Sequence, residues 1–144
     1  VYLPYSKHMH LLASPFNVFF GNMGQPGSLD AKGVAEDYSA GASKWEELTW
    51  KQLLTGFSCA ECGRCDRACP GIASGATLSP KMLMHHLKEL VRDGGDGLLL
   101  GDRVKPAEVW GCATCFSCME RCPVFNEHIP VLIEMRRKLV SAGE

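Results

Sequence analysis

Residues 59–70, CAECGRCDRACP, place four cysteines within twelve positions and end on a proline. Residues 112–123, CATCFSCMERCP, repeat the pattern, with the same two, two and three residues between successive cysteines. These two stretches, the first and second motifs, contain all eight cysteines of the 144-residue chain. A duplicated ligand pattern of this kind indicates two similar inorganic sites rather than thiols scattered through a core.

The spacing within each motif suits an iron-sulfur cube. Cysteines at every third position, as in Cys59, Cys62 and Cys65, let one loop direct three thiolates at three different irons. The fourth iron then needs a ligand from elsewhere. Pro70 disfavours helix at Cys69 and turns the chain away from the loop that precedes it. Cys69 is therefore available to a second site.

In ferredoxins with two clusters, the fourth cysteine of such a run binds the other cluster. This precedent assigns the eight thiolates to two [4Fe-4S] clusters, each completed by the last cysteine of the opposite motif. The first set is Cys59, Cys62, Cys65 and Cys122, and the second set is Cys112, Cys115, Cys118 and Cys69. Each cluster would tie the two motifs together.

Other uses of eight cysteines stay open but fit the pattern less well. Two zinc sites would use the same number of thiolates, although zinc modules usually present pairs of CxxC without a third cysteine at that spacing. Disulfides are disfavoured because cysteines three apart bridge poorly and no secretion signal is visible. A catalytic thiol is unexpected where the repeat accounts for every cysteine.

Composition sets the outer bounds. A chain of 144 residues with 46% hydrophobic residues can form one domain with a core, and a metal cofactor would add stability. The net charge of −1 and the dispersed basic residues do not predict nucleic-acid binding. No run reaches the roughly 18 apolar residues that a membrane helix needs. The chain starts without methionine and stops just after a helical pattern, which predicts a piece of a larger protein.

The periodicity of apolar residues predicts a mainly α-helical chain. Residues 1–20 are apolar but contain Pro4 and Pro15, which predicts short helical turns that pack on the domain or lie near a membrane surface. Residues 21–43 have a linker composition with at most one weak helix. We therefore divide the chain into an irregular N-terminal segment, residues 1–43, and a cluster-binding domain, residues 44–144.

Three helices are predicted in the second segment. One starts near Ser43 and contains KWEELTWKQLL. Another is PKMLMHHLKELVRD, with Ser79 as its N-cap, Pro80 in its first turn, and Gly94 and Gly95 as its end. The third begins at Pro130, and its predicted core face comprises Leu132, Ile133, Met135 and Leu139.

Other residues near the motifs give weaker signals. The pairs His8 and His10, and His85 and His86, lack chelating geometry, whereas His128 follows the second motif closely enough to adjust a cluster potential. Met82, Met84 and Trp110 are expected in the core. Three arginines interleave with the cysteines and either offset cluster charge or are ordinary solvated side chains. They are Arg64, Arg67 and Arg121.

A wider pattern resembles a known family. The segments TWKQLLTGFSCAECGRCDRACP, GATLSPKM and VWGCATCFSCMERCPVFNEHIPVLIEMRRKLV cover about residues 49–140. They resemble the dicluster domains of heterodisulfide reductase-related, membrane-associated iron-sulfur oxidoreductases. The similarity is strongest to the iron-sulfur subunits that link electron-transfer flavoprotein to menaquinone. The resemblance implies an α-helical ferredoxin-like fold, and the 42 residues between Cys69 and Cys112 leave room for its intervening helix.

The resemblance also implies a function. The chain would relay electrons through two [4Fe-4S] clusters between a flavoprotein, or a thiol/disulfide redox partner, and a haem or quinone site at the cytoplasmic face of the membrane. It would perform no substrate chemistry of its own. The alternative is an iron-sulfur subunit of a soluble heterodisulfide reductase-type or flavin-linked dehydrogenase complex. A catalytic heterodisulfide site would need an open cluster position, and eight cysteines on eight irons leave none.

Overall fold

The computed structural model describes residues 6, 8–24, 41–94 and 97–143, and all helices and the one isolated bridge given below lie within these ranges. The mainly helical fold class is confirmed. The helices are α1 (Met9–Phe19), α2 (Trp50–Ser58), α3 (Arg64–Arg67), α4 (Pro70–Ala73), α5 (Pro80–Asp93), α6 (Pro106–Trp110), α7 (Ser117–Glu120) and α8 (His128–Ala142), with one 3₁₀ turn at Trp45–Glu47. An isolated bridge joins Leu100 and Val104.

The core forms where α2, α5 and α8 pack together. Its centre consists of side chains that are 0% exposed, and α6 contributes one of them. They are Met84, Leu87, Val109, Val131 and Met135. The two short helices of the motifs, α3 and α7, contact each other beside this core. The core therefore supports the two motifs from one side and leaves their outer surfaces open to solvent.

The helix predicted from Ser43 is wrong as one continuous element. The 3₁₀ turn ends at Leu48, which is extended, and Thr49 then caps α2. The Thr49 hydroxyl accepts from the Gln52 N–H at 3.3 Å, and the Gln52 side chain accepts from the Thr49 N–H at 2.8 Å. This reciprocal pair satisfies two N–H groups that would otherwise lack partners, so the chain restarts its helix at Trp50.

The other two predicted helices are present. Ser79 caps α5 by accepting from the Met82 N–H at 3.1 Å, and Gly94 ends it with a φ of 60°. Gly95 lies outside the described residues. Helix α8 begins at His128, two residues before Pro130.

The core face predicted for α8 is largely correct. Leu132, Met135 and Leu139 are buried, and Ile133 is half-buried. The core prediction for Trp110 is wrong because this side chain is 48% exposed. Its ring stacks under Arg136, whose guanidinium carbon lies 5.3 Å from the ring centroid. Met84 is fully buried as predicted, and Met82 is half-buried.

Within the described residues 8–24 of the N-terminal segment, the chain forms a regular helix instead of separate turns. Helix α1 runs through Pro15, packs on α2 and buries Asn17. Its outer face exposes large apolar side chains, including Leu11, Leu12, Phe16 and Phe19. Among the described residues, no helix is long and apolar enough to span a bilayer. The prediction of a linker falls mostly on residues 25–40, outside the described ranges, and the domain division at residue 43 stays a prediction.

Gly41 provides a test of how the chain enters the core. A Cβ added at Gly41 would lie 2.1 Å from the Lys138 backbone nitrogen and 2.4 Å from the Glu134 carbonyl oxygen, both on α8. The next residue, Ala42, donates its N–H to that carbonyl at 3.0 Å. Since a helix backbone cannot repack around a methyl group, Gly41→Ala should lower the free energy of unfolding by about 3 kcal/mol.

Thermal unfolding of the loaded protein, followed by circular dichroism at one scan rate, measures this loss. Gly24→Ala is the matched control, because the three atoms nearest to its added Cβ all belong to the exposed Asn22 side chain, which can move away. The control should melt like the parent protein. A Gly41→Ala variant that also melts like the parent would contradict the contact between this segment and α8.

Candidate metal centre

The two motifs have left-handed residues at the same two positions. Their third residues, Glu61 and Thr114, have φ values of 54° and 51°, and their fifth residues, Gly63 and Phe116, have φ values of 72° and 62°. The chain then enters α3 in the first motif and α7 in the second. Left-handed residues at alternate positions curl each loop, so the sequence repeat is also a structural repeat.

Backbone N–H groups point at the cysteine sulfurs. The Thr114 N–H donates to Cys112 Sγ at 3.3 Å, and the Asn126 N–H donates to Cys122 Sγ at the same distance. In the first motif, burial raises the pKa of Cys59, and the hydrogen bond from the Glu61 backbone opposes that rise. Donors placed in this way stabilise the thiolate form, which is the form that binds metal.

A thiol cavity forms at the first motif. Its lining contains Cys59, Cys62 and Cys65, together with Cys122 from the second motif. Burial, followed by the nearby Asp66 and Cys59, raises the pKa of Cys65 to about 12. The charge of Cys122 contributes to the raised pKa of both Cys59 and Cys65. The last cysteine of the second motif therefore lies among the first three cysteines of the first motif.

The converse arrangement occurs at the second motif. Burial, followed by Cys112, raises the pKa of Cys118 to about 12, and the charge of Cys69 contributes to the raised pKa of both Cys112 and Cys118. A Cβ added at Gly71 would lie 3.0 Å from the Gly111 carbonyl and 3.5 Å from Cys69 Sγ. The turn after Cys69 thus packs closely against Gly111, the residue that precedes the second motif.

Cys115 differs from its neighbours. It is exposed, and its pKa is lowered, first by a hydrogen bond with the Ser117 side chain and then by the Ser117 backbone. The Cys115 Sγ and Ser117 Oγ atoms are 3.5 Å apart. In the described part of the chain, no three His, Cys, Asp or Glu side chains form a group that could hold one metal ion. The ligands of an iron-sulfur cluster bind separate irons and need no such convergence.

Among the described residues, three buried side-chain atoms have no hydrogen-bond partner: Nδ1 of His86, Nδ2 of Asn126 and Nδ1 of His128. Two of the three belong to residues that line the thiol cavity. They are Nδ2 of Asn126, which is 1% exposed, and Nδ1 of His128, which is 3% exposed. An unsatisfied buried polar group costs about 1–3 kcal/mol. Nδ2 of Asn126 is a donor, and Nδ1 of His128 is a donor in one of its two neutral tautomers. An unused donor beside four thiols fits a group that carries further acceptors, such as the sulfides of a cluster. The residues present therefore fit an iron-sulfur cluster.

The amide of Asn126 is oriented by a network from α1. Lys51 Nζ donates to Oδ1 of Asn17 at 2.6 Å, which leaves Nδ2 of Asn17 as the donor to Asn126 at 3.1 Å. The Asn126 atom that faces Asn17 must therefore be its oxygen. Nδ2 of Asn126 then faces away from α1. Asn17 Nδ2 also lies 2.7 Å from the Val124 carbonyl oxygen, which fixes the turn after the second motif.

A charged side chain also anchors each motif to the helical core. Asp66 of α3 accepts from the Ser79 hydroxyl at 3.0 Å and from the Lys81 N–H at 3.0 Å, at the start of α5. Arg136 of α8 donates to the carbonyls of Val109 and Cys112. These contacts join the motifs to the two longest helices of the described chain.

Sequence reasoning missed Asp66, Arg136, Asn17 and Asn126. Of these four, only Asn17 gives a signal in the sequence, because it is a polar residue inside the apolar run of residues 11–20. That signal does not identify Asn126 as its partner. His128 was singled out, and it lines the thiol cavity. Burial lowers the pKa of its imidazole to about 4, against opposing effects of the Asn126 backbone and Asp66. The ring is therefore neutral near pH 7.

Comparison with known proteins adds independent information. Residues 53–123, which include all eight cysteines, match the model of the 4Fe-4S dicluster domain family. The probable iron-sulfur-binding oxidoreductase FadF of Bacillus subtilis is 33% identical over 97% of this chain and 26% of that protein. The EtfAB:quinone oxidoreductase of Syntrophomonas wolfei is 30% identical over 96% of this chain and 24% of that protein.

A smaller relative is one of the subunits of the H₂:CoB-CoM heterodisulfide,ferredoxin reductase of Methanothermobacter thermautotrophicus. It is 28% identical over 59% of this chain and 41% of that relative. No solved structure matches the chain significantly. This chain spans about a quarter of the FadF protein and of the quinone oxidoreductase. The chain carries a 4Fe-4S dicluster domain, with eight cysteines for two [4Fe-4S] clusters, and is related to the iron-sulfur oxidoreductases of the heterodisulfide reductase type.

Proposed function

We propose that this chain is an electron-transfer module that relays single electrons between two [4Fe-4S] clusters within a larger oxidoreductase. The observation that carries the proposal is the thiol cavity, where three cysteines of the first motif meet the last cysteine of the second. All eight cysteines belong to the two motifs, and none is left to act on a substrate. In this proposal the chain needs no catalytic residue of its own.

We assign one cluster to Cys59, Cys62, Cys65 and Cys122, and the other to Cys112, Cys115, Cys118 and Cys69. The influence of Cys122 on the pKa values of the first motif, and of Cys69 on those of the second, supports this exchange. Each bound cluster supplies a centre that accepts and releases one electron. The polypeptide holds the thiolates, donates N–H groups to sulfur and limits the access of water.

We place a flavoprotein at one end of the relay and a haem or quinone site of a membrane domain at the other, at the cytoplasmic face. The printed name of the Syntrophomonas relative, EtfAB:quinone oxidoreductase, supports this pairing. The exposed apolar side chains of α1 support a position against lipid or an apolar domain, because a patch of this kind usually marks an interaction surface.

A second candidate is the iron-sulfur subunit of a soluble complex of the heterodisulfide reductase type, which the similarity to the Methanothermobacter protein supports. Flotation of the full-length protein with anionic phospholipid vesicles separates the two candidates. Co-flotation would support the membrane relay. A full-length protein that stays in the soluble fraction would favour the second candidate.

Metal analysis tests the cofactor directly. The anaerobically purified chain should contain about eight irons and about eight sulfides, as two cubanes require. Its broad visible absorption should bleach on reduction. About two zinc ions per chain with no visible absorption would instead indicate two four-thiolate zinc sites and overturn the proposal.

Paired substitutions test the exchange of ligands. Under our assignment, Cys69→Ala and Cys115→Ala damage the same cluster, so the double variant should keep about four irons. Cys69→Ala with Cys62→Ala damages both clusters and should leave almost none. Cys62 and Cys115 are matched because both are exposed and occupy the same place in their motifs.

Iron and sulfide analysis of both double variants gives the result, with electron paramagnetic resonance of the reduced protein as a second measurement. Cys62→Ala with Cys115→Ala is the control, since it removes one ligand from each cluster under any assignment. If each motif instead held its own cluster through all four of its cysteines, the first two variants would exchange their iron contents.

Asn126→Asp tests the donor beside the thiol cavity. The variant keeps the oxygen that accepts from Asn17 but replaces the free amide nitrogen with a carboxylate oxygen. Loss of a donor and gain of negative charge both stabilise the oxidised cluster. At alkaline pH, where the new carboxyl is ionised, the midpoint potential of the cluster at the first motif should fall by about 50 mV, since 59 mV is tenfold for one electron.

Redox titration followed by electron paramagnetic resonance measures the two clusters separately. Asn22→Asp adds the same charge at an exposed position and is the control. An equal shift of both clusters, or no shift beyond that of the control, would contradict a donor directed at one cluster.

A further inference from the structure

A cleft of about 790 Å³ lies between the two motifs, on the side where α3 and α7 meet. Its lining includes Arg64 and Arg67 from the first motif, and Arg121 with Glu120 from the second. The three arginines are exposed to solvent. We call this feature the arginine cleft. It presents three guanidinium groups against one carboxylate, so its net charge is positive.

Within the described part of the chain, none of the three cleft arginines forms an ion pair with a carboxylate. Other exposed arginines are paired there: Arg103 lies 3.6 Å from Glu89, and Arg92 lies 3.8 Å from Asp93. Unpaired cations that converge on a concave surface form a ready site for an anionic group.

Two other cations near the motifs are held in contacts within the domain. Lys88 pairs with Glu61 of the first motif, and Arg136 donates to the Cys112 carbonyl of the second motif. Both of these side chains are partly buried and come from α5 and α8. The cleft arginines instead direct their charge at solvent, where it acts on an approaching molecule.

The position of the arginine cleft suits electron exchange. Cys122 lines both the cleft and the thiol cavity, and Ala68, which also lines the cleft, directly precedes Cys69. These are the two cysteines that lie beside the opposite motif. A protein docked in the cleft would therefore be close to the ligands of both clusters. This step rests on the electron-transfer function proposed above.

We propose that the arginine cleft is the docking site for an acidic surface of a redox protein that exchanges single electrons with the clusters. Charge complementarity raises the rate of encounter and orients the partners, and the gain falls as salt screens it. Transient electron-transfer complexes use small, polar contacts, which a surface cleft of this kind provides. Carboxylates on the partner would pair with the three guanidinium groups.

The experiment uses the loaded protein and an acidic flavodoxin as the probe. Stopped-flow spectroscopy follows one electron passing from the anionic flavodoxin hydroquinone to an oxidised cluster, which leaves the neutral semiquinone and a reduced cluster. The variant carries Arg64→Gln, Arg67→Gln and Arg121→Gln. At low ionic strength its second-order rate constant should be about tenfold lower than that of the parent, within the range for electrostatic steering. The difference should vanish as salt is added.

Two controls separate docking from general effects. Arg92→Gln, Arg103→Gln and Lys105→Gln together remove three exposed positive charges outside the cleft. At the same ionic strength they should lower the rate clearly less than the cleft variant does, since Coulomb attraction weakens with distance from the docked surface. Reduced methyl viologen is a small cation that needs no docking and is repelled by arginines, so its rate should not fall in either variant.

Three results would overturn the docking site: an unchanged flavodoxin rate in the cleft variant, an equal loss of rate in the surface control, or a parent protein that does not react with flavodoxin. If viologen still reduces both clusters normally in these cases, the electron-transfer function itself is not contradicted. Binding of ATP by the parent but not by the cleft variant, with unchanged flavodoxin kinetics, would assign the cleft to a small anion. Failure of viologen to reduce any cluster would instead remove the proposed function.

Discussion

The structure depends on the position of two sulfurs. Cys122 lies beside the first motif, and Cys69 lies beside the second. Under the assignment that we propose, each motif therefore needs one thiol of the other motif to complete its ligands. Iron must bind thiolates, yet burial raises the pKa of Cys65 and of Cys118 to about 12. Before loading, these thiols are neutral and pack as small apolar groups. Binding of metal therefore couples deprotonation, assembly of both sites and stability of the domain.

Local sequence signals predicted much of this arrangement. Cysteine spacing identified both motifs, and Ser79, Pro80 and Gly94 marked the ends of α5, because caps and turns act over a few residues. The sequence did not predict the helix break at Thr49, because the apolar period runs on through this position. The capping box of Thr49 and Gln52 starts a new helix there. The exposure of Trp110 and the anchoring role of Arg136 depend on how α6 and α8 pack, which no local pattern contains.

The network from Asn17 to Asn126 shows a second limit of local reasoning. It joins residues 109 positions apart, and each side chain alone reads as an ordinary polar residue. Together they orient one amide beside the thiol cavity and tie α1 to the turn after the second motif. Helix α1 also exposes an apolar face. A molecule bound to that face would be connected to the thiol cavity through the buried side chain of Asn17.

Cys115 differs from Cys112 and Cys118 in both exposure and acidity. It is exposed and has a lowered pKa, whereas the pKa values of Cys112 and Cys118 are raised. Cys115 is thus the first of the three to ionise as pH rises. The second motif therefore meets solvent through the thiol that most readily becomes a metal-binding thiolate.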